Sequence, residues 1–484
     1  MQFVIKIFPE ITIKSKPVRK KMIQRLQNNL ANLLRSVHEQ TKVVKDWDKL
    51  TVEVNVDDAE TVQRARDVLS HTPGIAYFLE VEETQFETLD DICQATADFY
   101  RPLLANKSFV VRCRRGGKHE WTSHDIERYV GGFLNQNSDA TGVNLHNPDV
   151  TVNIEVRDNL CYVVKQRFPG LGGFPIGEVE PVLSLISGGF DSPVASYQCI
   201  KRGMPVHYCF FNLGGRDHEL GVKEVSYYLW QKYSASRRVK FVSVPFEGVV
   251  TEILQNVHSS QMGVVLKRMM YRAAEKVAEN IGIQALVTGE AVAQVSSQTL
   301  TNLSVIDAVT DMLVLRPLVA TDKEDIIRLS RQIGTEDFAA NMPEYCGVIS
   351  VKPTTKARIG RIEREETKFN FSVLEQALEA AEYINIDQMG DLDKQTEEVE
   401  SFNFPVGESV IIDIRHPEEQ EQRPLVMEKN KVLVIPFYSL HKASAGFDKK
   451  VKYLLYCEKG VMSKLHASHL QEDGYSVAVY RPLK

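Results

Sequence analysis

No stretch of this chain is apolar for long enough to cross a bilayer. Its longest apolar runs, such as residues 432–436 and 477–480, are strand-length, far below the roughly 18 residues that a membrane helix needs. The N-terminus reads Met-Gln-Phe-Val-Ile-Lys-Ile and then meets Glu10 and a basic segment. It lacks the long apolar core and small-residue cleavage site of a secretory signal, so cytoplasmic residence is the expectation. Cysteine is scarce and scattered: seven residues (93, 113, 161, 199, 209, 346 and 457) with no C-x-x-C pair. An odd, dispersed set argues against a disulfide framework or a zinc knuckle, and most of the seven are expected to be small core hydrophobes. Excess positive charge is also missing. With 58 Lys and Arg against 64 Asp and Glu the net charge is −6, so any nucleic-acid contact must rest on local patches.

What is present is an ordinary globular composition, 43% hydrophobic and 25% charged over 484 residues, enough for several α/β domains. Residues 1–60 read as a small α+β unit: a strand, a helix with Val18, Met22, Leu26, Leu30, Leu33, Leu34 and Val37 on one face, and a second strand. Residues 61–167 alternate helices and strands. The Gly- and Pro-dense segment Gly170-Leu-Gly-Gly-Phe-Pro-Ile-Gly177 marks the expected boundary after them. Residues 178–362 carry buried-type strands at 182–186, 206–211, 239–245 and 285–288 with helical segments between, the pattern of a doubly wound α/β domain. Residues 363–404 are acidic, with Phe371, Leu374, Leu378, Ala381 and Ile384 at helical spacing; a helix and linker are expected there. A last α/β unit, 405–484, closes the chain.

The first chemical signal is a loop. The strand ending in Leu185 and Ile186 runs directly into Ser187-Gly-Gly-Phe-Asp-Ser192, and a helix follows. Small residues there let backbone N–H groups approach an anion, and the helix N-terminus adds its positive end. The Lys-Ser/Thr ending of a Walker A loop is missing, so transfer of a terminal phosphate is not indicated. The string resembles the pyrophosphate loop (PP-loop) of the N-type ATP pyrophosphatases, which cleave ATP between its first two phosphates and attach AMP to an acceptor. The resemblance implies that Ser187, Gly188, Gly189, Asp191 and Ser192 cradle pyrophosphate, with Asp191 able to organise Mg²⁺. Downstream, the basic residues of the segment from Lys267 to Lys276 are candidates to face a polyphosphate. Gly289 and Glu290 end a strand at the sheet edge where ligands bind, and Gln298, Thr299 and Asn302 are candidates to contact adenine or substrate.

Cys457 opens Cys457-Glu-Lys-Gly-Val-Met-Ser463 between a strand and a helix. Converging N–H groups and a helix dipole at such a position are expected to lower a thiol pKa. The C-x-x-G-x-x-S spacing resembles the active loop of rhodanese domains, and Val410-Ile-Ile-Asp-Ile-Arg415 resembles their first core strand. That implies a cysteine carrying sulfur as a persulfide. Cys346, in Met342-Pro-Glu-Tyr-Cys-Gly347, is a loop cysteine whose residues alone leave core and functional roles open.

Two basic patches stand out. One holds Arg112, Arg114, Arg115 and Lys118; the other, around Lys20 and Lys21, lies in a stretch with no acid from residue 11 to 38. Both suit phosphate contacts. The context Val111-Arg-Cys-Arg-Arg-Gly-Gly-Lys-His119 resembles the THUMP domain of RNA-modifying enzymes.

In order, the chain resembles a ferredoxin-like unit (1–60), a THUMP domain (61–167), a PP-loop ATPase (178–362), a helical linker (363–404) and a rhodanese domain (405–484). That combination resembles the ThiI family of tRNA 4-thiouridine synthetases in its longer form. The resemblance implies an ATP- and Mg²⁺-dependent sulfurtransferase acting on a tRNA uridine, position 8 in the family. It also implies loading of Cys457 by a cysteine desulfurase (IscS), a transient Cys346–Cys457 disulfide, sulfur donation to the ThiS carrier for thiamine thiazole synthesis, and a homodimer. Two rival functions remain compatible with the residues: a persulfide relay without tRNA chemistry, and an ATP-activating tRNA enzyme that adds a nucleophile other than sulfur.

Overall fold

The structure is a computed structural model. It describes residues 1–46, 49–55, 58–213, 215–340, 342, 352–389, 399–415, 417–458 and 460–482. The chain divides into two compact units, Met1–Glu178 with Lys201–Gly203, and Val179–Ile200 with Met204–Lys484.

In the first unit, β1 (Gln2–Ile7), β2 (Thr41–Asp46), β3 (Lys49–Val54), β4 (Ile75–Gln85), β5 (Ser108–Gly116), β6 (Gly142–Val143), β7 (Val150–Arg157) and β8 (Leu160–Gly172) form one sheet. Its order is β2-β3-β1-β4-β8-β7-β5-β6. The apolar faces of helices Lys16–Arg35 and Ala59–His71 supply Leu26, Leu30, Ala65 and Leu69 to a core shared with Phe3, Ile5, Val52 and Phe78. Helices Leu89–Tyr100 and Ser123–Asn137 cover the other half, each opened by a capping box, Thr88 with Asp91 and Thr122 with Asp125. Such N-caps contribute about 1 kcal/mol each.

Two expectations change here. A division at residue 60 cuts through a packed core, because Ala59–His71 and β4 belong with the N-terminal strands. β4 bonds to β1 on one side and β8 on the other, so the sheet is continuous. The glycine-rich segment begins inside β8 and not in a loop. Gly172 pairs with Ile75, and a Cβ on Gly170 would lie 2.4 Å from the Ile75 carbonyl oxygen. Glycine there permits close backbone approach.

The second unit holds two sheets. In the first, β9 (Val182–Leu185), β10 (Val206–Asn212), β11 (Lys240–Pro245), β12 (Ala285–Val287), β13 (Leu313–Leu315) and β14 (Glu382–Asn385) take the order β13-β12-β9-β10-β11-β14. The first five in chain order are parallel and β14 joins antiparallel to β11. Helix Met262–Ile281 buries Val265, Met269, Ala273 and Val277 against this sheet.

The acidic segment is no linker as far as residue 389. Helices Ile359–Glu366 and Ser372–Glu379 place Ile362, Leu374 and Ala377 in the same core as Met269, and Ile384 of β14 is buried. The acids that suggested a linker, Glu375, Glu379 and Glu382, lie on the exposed face.

The remaining sheet is parallel throughout: β15 (Ser401–Phe402), β16 (Val410–Asp413), β17 (Val432–Val434), β18 (Tyr453–Tyr456) and β19 (Val477–Tyr480), in the order β15-β19-β18-β16-β17. Among the described residues no helix is long and apolar enough to cross a membrane.

Candidate nucleotide site and cysteine loop

β9 is the central strand of its sheet, and the chain leaves it toward β10 on one side while β12 lies on the other. The carboxyl ends of β9 and β12 therefore flank a topological switch point, where open α/β sheets bind ligands. A cleft opens there. Leu185, Ile186, Ser187, Asp191, Ser192, Lys267, Gly289 and Gln298, all expected from sequence, line it.

The loop is tied at both ends. Ser192 Oγ accepts the Ser187 N–H at 3.0 Å and lies 3.1 Å from Ser187 Oγ. His218 Nε2 donates to the Ser187 carbonyl at 3.2 Å. Gly188 makes the turn at φ +79°, and a Cβ on it would meet Met342 Cε at 2.5 Å. Among the described residues, a Cβ on Gly189 would meet nothing within 4 Å. Helix Asp191–Lys201 then starts with its N–H groups at the cleft. Gly289 allows β12 to end against that helix: its Cβ would sit 2.7 Å from Asp191 C and from Ser192 N. Asp191 is held by two donors, Lys323 Nζ at 2.7 Å and Gln294 Nε2 at 2.9 Å.

The far wall is built around Glu290, which is 3% exposed. Its Oε2 accepts from Tyr271 OH at 2.9 Å, Thr288 Oγ1 at 3.0 Å and Arg316 Nε at 3.0 Å. Lys267 Nζ lies 3.9 Å from Oε1. Burial pushes the carboxyl up, but Lys267, Arg316 and the Tyr271 hydroxyl outweigh it and hold Glu290 below its ordinary value. It is an ionised acceptor fixed in place.

Several sequence candidates sit elsewhere. On helix Met262–Ile281 only Lys267 of the basic residues lines the cleft, with Met270 and Tyr271 on the same face. Arg268 is buried against Glu366, Arg272 shares that carboxylate, and Lys276 pairs with Glu279. Helical periodicity turns them away. Thr299 caps helix Leu300–Asp307, and Asn302 bonds the backbone at Ser296, Thr354 and Ala357; both are structural. Lys323, Gln294, Tyr271 and Arg316 were not anticipated. Nothing local marks Lys323, which reaches Asp191 from 132 positions away.

Cys457 follows β18 at a strand-to-helix turn. Gly460, at φ +75°, caps helix Val461–Glu472, and the Ser463 N–H donates to Cys457 Sγ at 3.3 Å. The expected lowering of the thiol pKa is corrected by the structure. Burial pushes it up, and the opposing donors at Ser463, Gly460 and Met462 do not compensate. Asp413 and Arg415 form a buried bidentate pair beside the loop, at 2.6 and 2.9 Å, and Arg423 pairs with Glu458 at 2.8 Å. Cys346 lies outside the described residues. Cys93, Cys113, Cys161 and Cys199 are core residues whose thiols burial pushes up to about 12.

The basic patches are exposed. On β5, Val111 and Cys113 are buried while Arg112, Arg114 and Arg115 are exposed, with Lys118 exposed just beyond. Arg114 is steadied by Tyr77 OH at 2.9 Å and Arg112 by the Leu145 carbonyl at 3.4 Å. Lys20 and Lys21 are exposed on helix Lys16–Arg35.

These features define a class: a PP-loop nucleotide domain preceded by ferredoxin-like and THUMP domains. Family models agree, with the ThiI ferredoxin-like domain matching residues 2–78, the THUMP domain 86–164 and the thiamine biosynthesis protein (ThiI) 177–371. The chain belongs to the tRNA sulfurtransferase family. It is 55% identical to the tRNA sulfurtransferase of Shewanella loihica and 56% identical to that of Shewanella amazonensis, each over 100% of both chains. The relative from Saccharophagus degradans is 55% identical over the same full span. Among solved structures, a 4-thiouridine synthetase–RNA complex with bound ATP shares the fold at TM-score 0.70 and 24% identity, covering 79% of this chain and 99% of that one. PH1313 from Pyrococcus horikoshii matches at TM-score 0.55 and 20% identity, over 69% of this chain and 100% of its own.

Proposed function

We propose that this protein thiolates a tRNA uridine at C4, activating the base with ATP and carrying sulfur on Cys457. The observation that carries the proposal is the Ser187–Ser192 tie across a glycine turn at the sheet's switch point. The full-length identity to tRNA sulfurtransferases supports the same reading.

The uracil O4 is a poor leaving group. Attack of O4 on the α-phosphorus of ATP breaks the α–β phosphate bond, releases pyrophosphate and leaves O4 carrying AMP, with the N3 proton lost to solvent. Loop N–H groups and Lys267 stabilise the departing negative charge. Magnesium arrives with the nucleotide; Asp191 would hold it together with phosphate oxygens, and it would supply charge neutralisation. The terminal sulfur of a Cys457 persulfide then displaces AMP at C4. Cys346 thiolate attacks the Cys457 sulfur, the S–S bond to the base breaks, and the 4-thiouridine thiolate leaves and takes a proton. The resulting Cys346–Cys457 disulfide needs two electrons from an external dithiol.

In this reading the 405–484 unit is a rhodanese domain. A cysteine desulfurase loads Cys457, and the ThiS carrier is a second sulfur acceptor. The exposed arginines of β5, with Lys20 and Lys21, grip tRNA phosphates. The deciding experiment is mass spectrometry of tRNA incubated with the purified protein, ATP, Mg²⁺ and a sulfur donor. A uridine heavier by the oxygen-to-sulfur exchange is expected. Thiolation without ATP, or undiminished in Cys457→Ser, refutes the proposal.

A further inference from the structure

Helix Gly215–Leu229 touches the nucleotide loop and the helix that follows the cysteine loop. Toward its start, His218 donates to the Ser187 carbonyl. One turn on, Val222 lies against the glycine turn, with its Cγ2 3.0 Å from where a Gly188 Cβ would stand. Glu224 meets helix Val461–Glu472, the helix launched by the cysteine loop, and forms a carboxylate–imidazole pair with His466. Glu224 is 4% exposed and His466 3%, so the pair is shut away from water. Tyr227, 3% exposed, comes one turn after Glu224. Burial first, and then the charge Cys457 would carry, push its hydroxyl up.

A carboxylate and an imidazole shut in together are costly to desolvate, so the pair is a poor source of affinity, yet removing either partner strands the other. Glu224 does not line the nucleotide cleft, and no step derived for Cys457 uses His466. Val222 and Glu224 stand two positions apart, about 3 Å along a helix.

We infer that helix Gly215–Leu229 is the dock on which the C-terminal unit seats its cysteine loop beside the nucleotide loop, with Glu224 and His466 setting the register. The dock answers how a sulfur held on one sheet is delivered to a base activated on another. That consequence rests on the proposed persulfide role of Cys457; the dock itself does not.

The test uses the full chain. Cys457 alkylation by iodoacetamide is followed by peptide mass spectrometry in the wild type, Glu224→Arg, His466→Ala and the exchanged pair Glu224→His with His466→Glu. Thermal unfolding verifies folding, and Glu224→Gln with His466→Gln replaces any variant that fails to fold. Each single variant is expected to speed Cys457 alkylation about ten-fold by stranding its partner and opening the interface. It should cut tRNA thiolation by a similar factor while tRNA-dependent pyrophosphate release stays at the wild-type rate. The exchanged pair should return protection to within about two-fold of wild type. Wild-type alkylation rates in the single variants overturn the dock. Undiminished thiolation in Cys457→Ser overturns the persulfide role instead, and leaves the alkylation result to decide the dock.

Discussion

Lys323 and Asp191, 132 positions apart in the chain, are joined by an ammonium–carboxylate pair of 2.7 Å at the mouth of the nucleotide loop. Their side chains are 41% and 23% exposed, so solvent screens the pair and it adds little to stability. Its work is orientation: with Gln294 on the other oxygen, it aims the first carboxylate of the helix into the cleft. Lys323→Met is expected to leave the melting temperature nearly unchanged while lowering tRNA-dependent pyrophosphate release about ten-fold. Asp191→Ala should lower it by about 100-fold or more. A pyrophosphate-release assay with and without tRNA reads both.

Glu290 predicts a pH effect. Its folded pKa lies below the ordinary 4.5, so the folded state favours the ionised form. That contribution is complete above the unfolded pKa and disappears as the pH falls through the lower folded value. Urea unfolding from pH 7 down to about pH 3 should therefore show the wild type losing stability more steeply than Glu290→Gln. At pH 7 the variant should be less stable by about 3 kcal/mol, having broken a buried charged network. Parallel curves for the two proteins contradict the assignment.

Glu366 neutralises Arg268 and Arg272 at once, and the Arg268 and Glu366 side chains are only 3% and 7% exposed. Glu366→Ala leaves a guanidinium buried without its partner. We expect a loss of about 3–5 kcal/mol, seen as a drop in the urea midpoint, although the residue touches nothing in the cleft.

Gly289→Ala places a methyl group 2.7 Å from two backbone atoms of the loop helix, and backbone cannot swing aside as a side chain can. Overpacking of this kind costs about 1–3 kcal/mol, here borne by the loop, so ATP affinity measured by calorimetry should weaken about ten-fold or more. Gly360→Ala is the control. Among the described residues nothing lies within 4 Å of its Cβ, and at the second position of helix Ile359–Glu366 alanine is tolerated at least as well as glycine.

The nucleotide loop was legible in the sequence because its chemistry is local. Small residues, an acid and a helix start within six positions define what the backbone can do. The parallel strands were legible as short apolar runs for the same reason. Lys323, Arg316 and Tyr271 were not, since their partners Asp191 and Glu290 come from distant segments and only the sheet order unites them. The acidic stretch from 363 misled because charge on one face of a helix looks like solvation, while Ile362, Leu374 and Ile384 carry the packing on the other. Cys457 shows the limit most clearly. The turn and its N–H donors are visible in C-x-x-G-x-x-S, but the burial that reverses the thiol's pKa shift depends on what packs around it.

The continuous sheet running from β2 to β6 has a consequence for anyone trimming this protein. Removing the first sixty residues would strip β1 from an eleven-residue strand, leaving a raw edge of unsatisfied amides and carbonyls ready to pair with a neighbouring molecule. The amino-terminal segment thus acts as a selvedge, and a shortened protein should come out of solution as aggregates.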